Sequence, residues 1–192
     1  LGNLPERVSK SGGSALERYF RVARGRSGQE SSCCGVQAGE MTKWFDTNYH
    51  FMVPEVGPDQ DFTLCAAKPL GEFAEALALG HRTRPVLLGP VTWLLLAKSN
   101  QAGFDPLTLL PAILPLYREL LSRLRAAGAQ WVQIDEPALV LDLDERARAA
   151  LRTAYAALCG PHSPRIMLAT YFGGLADNRE LALSLPVDGL HL

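Results

Sequence analysis

Residues 116–137, LYRELLSRLRAAGAQWVQIDEP, run through a helix, a stop and a strand, and this order decides the fold class. Leu116, Leu120 and Leu124 recur at i, i+4 and i+8, which places them on one face of a helix over 116–127. Gly128 supplies the stop, because glycine takes the left-handed backbone that ends helices at no steric cost. Residues 131–135 then read as a strand, closed by Glu136-Pro137. Upstream, Pro111 and Pro115 are expected to confine the regular part of the helix to the residues beyond them.

The same alternation continues on both sides. Before it, 84–88 reads as a buried strand followed by a turn at Gly89-Pro90, with a helix over 72–79 that Gly80 terminates. After it, Asp144 is the expected N-cap of a helix to Cys159, closed by Gly160-Pro161. A strand over 165–170, a helix over 175–185 and a strand over 187–192 follow; 49–53 brings the strands to about five. A β–α–β–α order demands parallel strands with crossover helices, hence an α/β fold. We expect an incomplete (β/α)8 barrel of the TIM type, since a full one needs about 250 residues. A five-stranded open sheet is the alternative that pattern alone leaves. The expected division is a poorly defined amino-terminal segment, 1–39, rich in Ser, Gly and Arg, and a partial barrel over 40–192.

Composition narrows the function classes. The 192 residues carry 19 Lys+Arg against 20 Asp+Glu, so the net charge of -1 gives no reason to expect a nucleic acid or a membrane surface as partner. Gly89, Pro90 and Thr92 interrupt the longest apolar stretch, which is too broken to span a bilayer. Cys33, Cys34, Cys65 and Cys159 have no framework spacing; reduced thiols and a cytoplasmic location are the expectation. Cys159 and His162 form a C-x-x-H pair, short of the three or four ligands a zinc site takes.

In parallel α/β folds ligands bind at the carboxyl ends of the strands. Asp135 and Glu136 end one strand here, Thr170 and Tyr171 another, and His191 a third, with Thr92 just beyond a fourth. Each residue alone reads as a strand cap; several on one rim read as a site. Asp135 and Glu136 are unsuited to be a glycosidase pair, because neighbours on a strand point to opposite faces and such carboxylates flank the substrate. The densest polar and aromatic segment is 41–50, MTKWFDTNYH, where Lys43 offers a long cation and Asn48 both a donor and an acceptor. It reads either as a solvated loop anchored by aromatics or as a recognition loop.

The string 40–50, EMTKWFDTNYH, continuing to Val53-Pro54-Glu55, resembles a signature of the amino-terminal domain of cobalamin-independent methionine synthases. VLLGPVT (86–92), WVQIDEP (131–137), TYF (170–172) and VDGLH (187–191) are similar to the same domain in the same order. The resemblance implies an enzyme of two barrels that moves a methyl group from 5-methyltetrahydropteroyl-polyglutamate to homocysteine in methionine biosynthesis. It implies that Lys43 and Asn48 help to bind the anionic folate tail, with Asp135, Glu136 and His191 as candidate rim contacts and no catalytic residue in this chain. Zinc, held by one His, two Cys and one Glu, is expected in the carboxyl-terminal barrel, which would be this chain's partner and without which it would be inactive. Residues 29–39, with Cys33-Cys34, depart from the family's usual lead into the motif, and its Gly- and Arg-containing first strand has no counterpart. The alternatives are a non-catalytic folate-binding or structural remnant and, against the 40–50 string, a barrel like uroporphyrinogen decarboxylase.

Since no third ligand accompanies Cys159 and His162, the isolated chain, purified without a histidine tag, should carry no stoichiometric zinc by metal analysis. About one tightly held zinc per chain, lost on replacing both residues, would overturn this.

Overall fold

Parallel pairing organises the computed structural model, which describes residues 2–25, 35–99 and 101–192. The Cys33-Cys34 pair lies outside the described residues. Four strands, β3 (Val86–Leu88), β4 (Trp131–Asp135), β5 (Arg165–Ala169) and β6 (Gly189–His191), form one sheet in the order in which the chain makes them, all parallel. The helices between them are α4 (Pro90–Leu96), α5 (Leu110–Ala126), α6 (Glu145–Leu158) and α7 (Arg179–Ser184). Short 3-10 turns lead into α5 and α7 and follow β4. Before the sheet come α1 (Glu6–Ser9), α2 (Ala15–Arg24), a hairpin of β1 (Met41–Lys43) and β2 (His50–Met52), and α3 (Ala67–Ala78).

Register sorts the side chains into two faces. Leu87, Ile134, Leu168 and Leu190 stand opposite one another, and with Val132 and Ile166 they face the helices. The core joins them to Val91 and Leu94 of α4, Ile113, Leu121 and Leu124 of α5, Leu151 and Tyr155 of α6, and Leu181 of α7. The alternate row, Leu88, Asp135, Ala169 and His191, points to the other face at the carboxyl end of the strands. Backbone bonds carry the ladder one step past each strand: Gly89 N–H to Asp135 O, Glu136 N–H to Ala169 O, and Thr170 N–H to His191 O, each 2.8–2.9 Å.

Asp144 caps α6 as expected, accepting from the Ala147 N–H at 2.9 Å, and Gly80 and Gly128 end α3 and α5 with positive φ. Several expectations are corrected. Residues 49–53 do not join the parallel sheet. His50–Met52 pairs antiparallel with Met41–Lys43, only a short loop upstream, too close for a crossover. The strand over 84–88 is not buried: β3 is a sheet edge, and Val86 is exposed. Gly89-Pro90 starts α4 instead of making a turn, since proline at the first helical position gives up an N–H that has no helical partner anyway. Pro111 and Pro115 do not delay α5. Pro111 lies in the first turn, Pro115 forfeits one bond near the start, and seven buried side chains hold the helix against that loss. The helix over 175–185 begins as a 3-10 turn. Among the described residues no helix is long and apolar enough to cross a membrane.

Leu121 is fully buried between α5 and the sheet. Leu121→Ala should lower unfolding free energy by about 2–5 kcal/mol in chemical denaturation, through lost burial and the cavity left behind; a loss under about 1 kcal/mol would place the core elsewhere.

Candidate functional site

The 41–50 motif folds as a hairpin arm. Lys43 ends β1 opposite His50 and is exposed, and no hydrogen bond or ion pair engages its ammonium among the described residues. The loop that follows closes on itself: the Trp44 N–H donates to Tyr49 O at 2.7 Å, and the Thr47 N–H and hydroxyl both reach Trp44 O. Asn48 is exposed at this tip, its carbonyl 3.0 Å from His50 Nδ1. At its base the arm is fixed by Val53 N–H to Glu40 O and by the Lys98–Glu40 ion pair. Just beyond, Lys98 N–H donates to Pro54 O, and Val56 N–H to Lys98 O.

The tip leans on the sheet. Phe45 stacks on Phe172, in the loop after β5, with centroids 5.4 Å apart, while Trp44 meets Phe45 and Phe51 edge-on. Phe172 in turn meets the neighbouring Tyr171 edge-on at 4.6 Å. The Tyr171 hydroxyl donates to Asp135 Oδ2 at 3.1 Å, and Gln133 Nε2 donates to Oδ1 at 2.7 Å. Partial burial beside the Asp135 carboxylate pushes the Tyr171 phenol up to about 12, so it stays a donor. Asp135 and His191 share the open face at the rim, and the Thr170 hydroxyl between their strands is buried without a hydrogen-bond partner. A chain of contacts thus connects the lysine-bearing arm to the carboxyl end of the sheet. What this arrangement offers a ligand is a free cation, an amide, aromatic edges and an oriented carboxylate.

Glu136, grouped above with the rim contacts, sits elsewhere. Its carboxylate is fully buried on the helix side of the sheet, where it accepts from the Thr92 N–H at 2.7 Å, the Val91 N–H at 3.3 Å and the Tyr155 hydroxyl at 3.3 Å. It closes the amino end of α4, whose first turn has unpaired N–H groups and a favourable dipole. Gly89 makes room: a Cβ there would lie 2.1 Å from Glu136 Cδ. Thr92 is buried too, its hydroxyl accepting from Ala138 N–H at 3.2 Å. The sequence reading missed Phe45 and Phe172 as partners and Tyr155 as a carboxylate donor, since no spacing rule connects positions so far apart.

Cys159 and His162 both line a cavity of about 310 Å³ beside Arg118. Burial raises the Cys159 thiol to about 11, away from the thiolate a metal needs. Among the described residues, no three His, Cys, Asp or Glu side chains gather to hold a metal ion, so the residues present do not fit the zinc site of one His, two Cys and one Glu.

Residues 1–192 match the family described as the N-terminal domain of cobalamin-independent synthase. The chain is similar along its whole length to proteins named 5-methyltetrahydropteroyltriglutamate–homocysteine methyltransferase. It is 54% identical to the one from Rhodopseudomonas palustris, 56% to that of a Chelativorans species and 52% to that of Caulobacter vibrioides. It spans about a quarter of their length, 26% in each case.

Burial raises the Glu136 carboxyl from its ordinary range to about 7, against the pull of the hydrogen bonds from Thr92, Val91 and Tyr155. A carboxyl that binds its proton more tightly folded than unfolded makes stability highest below the unfolded value, near 4.5, and lower as pH rises through about 7. The chain should lose at most about 3 kcal/mol over that window, and Glu136→Gln should flatten the dependence. Denaturation curves from pH 5 to 8 with the same slope in both proteins would reject this.

Proposed function

The chain belongs to the family of the cobalamin-independent synthase N-terminal domain, and on that premise we propose that it is the part of a methionine synthase that helps to hold a methyltetrahydropteroyl-polyglutamate. The observation that carries the reading is the β1–β2 arm: Lys43 projects with no carboxylate paired to it among the described residues, and Asn48 stands exposed at the tip. A polyglutamate tail is a string of carboxylates, and an unpaired ammonium beside a side-chain amide suits it. Asp135 and His191, on the open face at the rim, are the proposed further contacts; Glu136 is not among them, because its lone pairs are taken up by α4.

We read the sheet as an arc of a (β/α)8 barrel formed by residues 40–192. Its strands follow chain order without reversal and its helices share one face, whereas a doubly wound sheet reverses order at a switch point. Transfer of the methyl group to homocysteine is assigned to the carboxyl-terminal barrel, with its zinc. The chain's part is to bind and orient the folate against that partner. A cytoplasmic location goes with this reading, as do the free thiols of Cys65 and Cys159.

In a full-length protein carrying this segment, Lys43→Ala should weaken binding of triglutamyl folate and leave homocysteine binding nearly unchanged. The loss should be about two- to fivefold if the pair stays exposed and up to about a hundredfold if the ligand shields it, shrinking as salt rises. Monoglutamyl folate, with fewer tail charges, should be affected less. Equal losses for the two folates would show that Lys43 only supports the loop.

A further inference from the structure

Two of the non-glycine residues with left-handed backbones touch each other. Phe45 has φ 51° and Phe172 has φ 80°, and their rings form the stack between the hairpin tip and the loop after β5. Bulky side chains rarely adopt such backbones, because the Cβ crowds the neighbouring carbonyl. Gly173 and Gly174 follow directly, so residues suited to the conformation are at hand, yet a phenylalanine occupies the strained position. Neither ring belongs to the core beneath the sheet, and Phe172 is 39% exposed, so burial explains little of the choice. Strain of this kind persists where the surroundings hold it, and it gathers at ligand clamps.

The stack has a definite mechanical place. Backbone bonds and the Lys98–Glu40 pair fix the arm at its base, at the opposite end of the hairpin from its tip. At the tip, the interactions with the sheet run through Phe45 and Phe172, and Phe172 is steadied by Tyr171, itself bonded to Asp135. Lys43 and Asn48 flank Phe45 on either side, so where they stand relative to the rim depends on that contact. We propose that Phe172, acting through its stack on Phe45, is a positioning residue that holds Lys43 and Asn48 at the distance from the rim that a tail of several carboxylates requires. This rests on the tail-binding reading of Lys43 and Asn48 given above.

The test uses the full-length protein and four variants: Phe172→Gly, Phe172→Tyr, Lys43→Ala and the Lys43→Ala/Phe172→Gly double. Glycine accepts φ 80° freely, so Phe172→Gly removes the ring without forcing the loop to move. It should raise KM for triglutamyl folate about three- to thirtyfold, raise it less for monoglutamyl folate, and change kcat little; Phe172→Tyr should stay within about twofold of the parent. Amide exchange at Trp44 and Thr47, whose N–H groups bond inside the tip, should speed up in Phe172→Gly. In the Lys43→Ala background Phe172→Gly should add little, because a positioning residue has nothing left to position. If Lys43→Ala selectively impairs the triglutamate but Phe172→Gly does not, or if the two losses simply multiply, the positioning role is wrong while the tail-binding reading stands. If Lys43→Ala has no selective effect, the tail-binding reading fails and takes this proposal with it. Should Phe172→Gly fail to fold, Phe45→Ala breaks the same stack from the exposed hairpin and is judged by the same KM pattern.

Discussion

The buried carboxylate of Glu136 is the junction on which this architecture turns. It lies where β4 ends and α4 begins, and it joins three elements of the fold at once: the Val91 and Thr92 N–H groups of α4, the Tyr155 hydroxyl of α6, and its own strand. A carboxyl in an apolar interior is tolerated only when its oxygens are bonded, and the open first turn of a helix is well suited to do so. The geometry then constrains its neighbours. Position 89 must be glycine, since a side chain would overlap the carboxylate, and Pro90 can start the helix because the donors that matter follow it. Tyr117, packed beside this group, sends its own hydroxyl to Leu88 O at 2.8 Å and so ties α5 to the end of the edge strand.

With that junction on the helix side, Asp135 and His191 are left to the opposite face of the same strands. Asp135 and Glu136 are adjacent in the chain and face different worlds: one is braced by Gln133 and Tyr171 at the open rim, the other is enclosed. A second brace lies deeper in the loops. Asn178, almost fully buried, donates to both Leu139 O and Leu141 O, which fastens the loop after β4 to the turn before α7. The loops at the carboxyl end of the sheet are therefore held to one another, and the hairpin leans on a framework of fixed shape. Arg165 over the Trp131 ring, 4.4 Å from its centroid, gives the open face a similar closure at the amino end of the strands.

Much of this was legible in the residues. Alternating periods of apolar residues, with glycine at the stops and Asp144 at a cap, marked α5, α6 and the parallel strands, because those signals act within a few residues of the chain. The capping box Ser14-Ala-Leu-Glu17, which starts α2 inside the segment read as poorly defined, went unread, because the composition around it hides the helix. Where the reading went astray, a distant group had settled the matter. Pro115 stays inside a helix because the buried face of α5 outweighs one missing bond; Pro90 begins a helix because Glu136 waits at its end.

The sequence by itself determined the α/β class, the parallel order of β3 to β6 and the family, and it singled out Lys43 and Asn48 as candidates, since periodicity and motif strings are local properties of the chain. Only the tertiary structure decided that 41–52 is an antiparallel arm, that Glu136 belongs to the interior while Asp135 faces the rim, and that Phe45 meets Phe172. The reason is physical. A helix or a strand is written in contacts between near neighbours, whereas a cap across 44 residues or a ring stack between the hairpin tip and the loop after β5 exists only once the chain has closed upon itself.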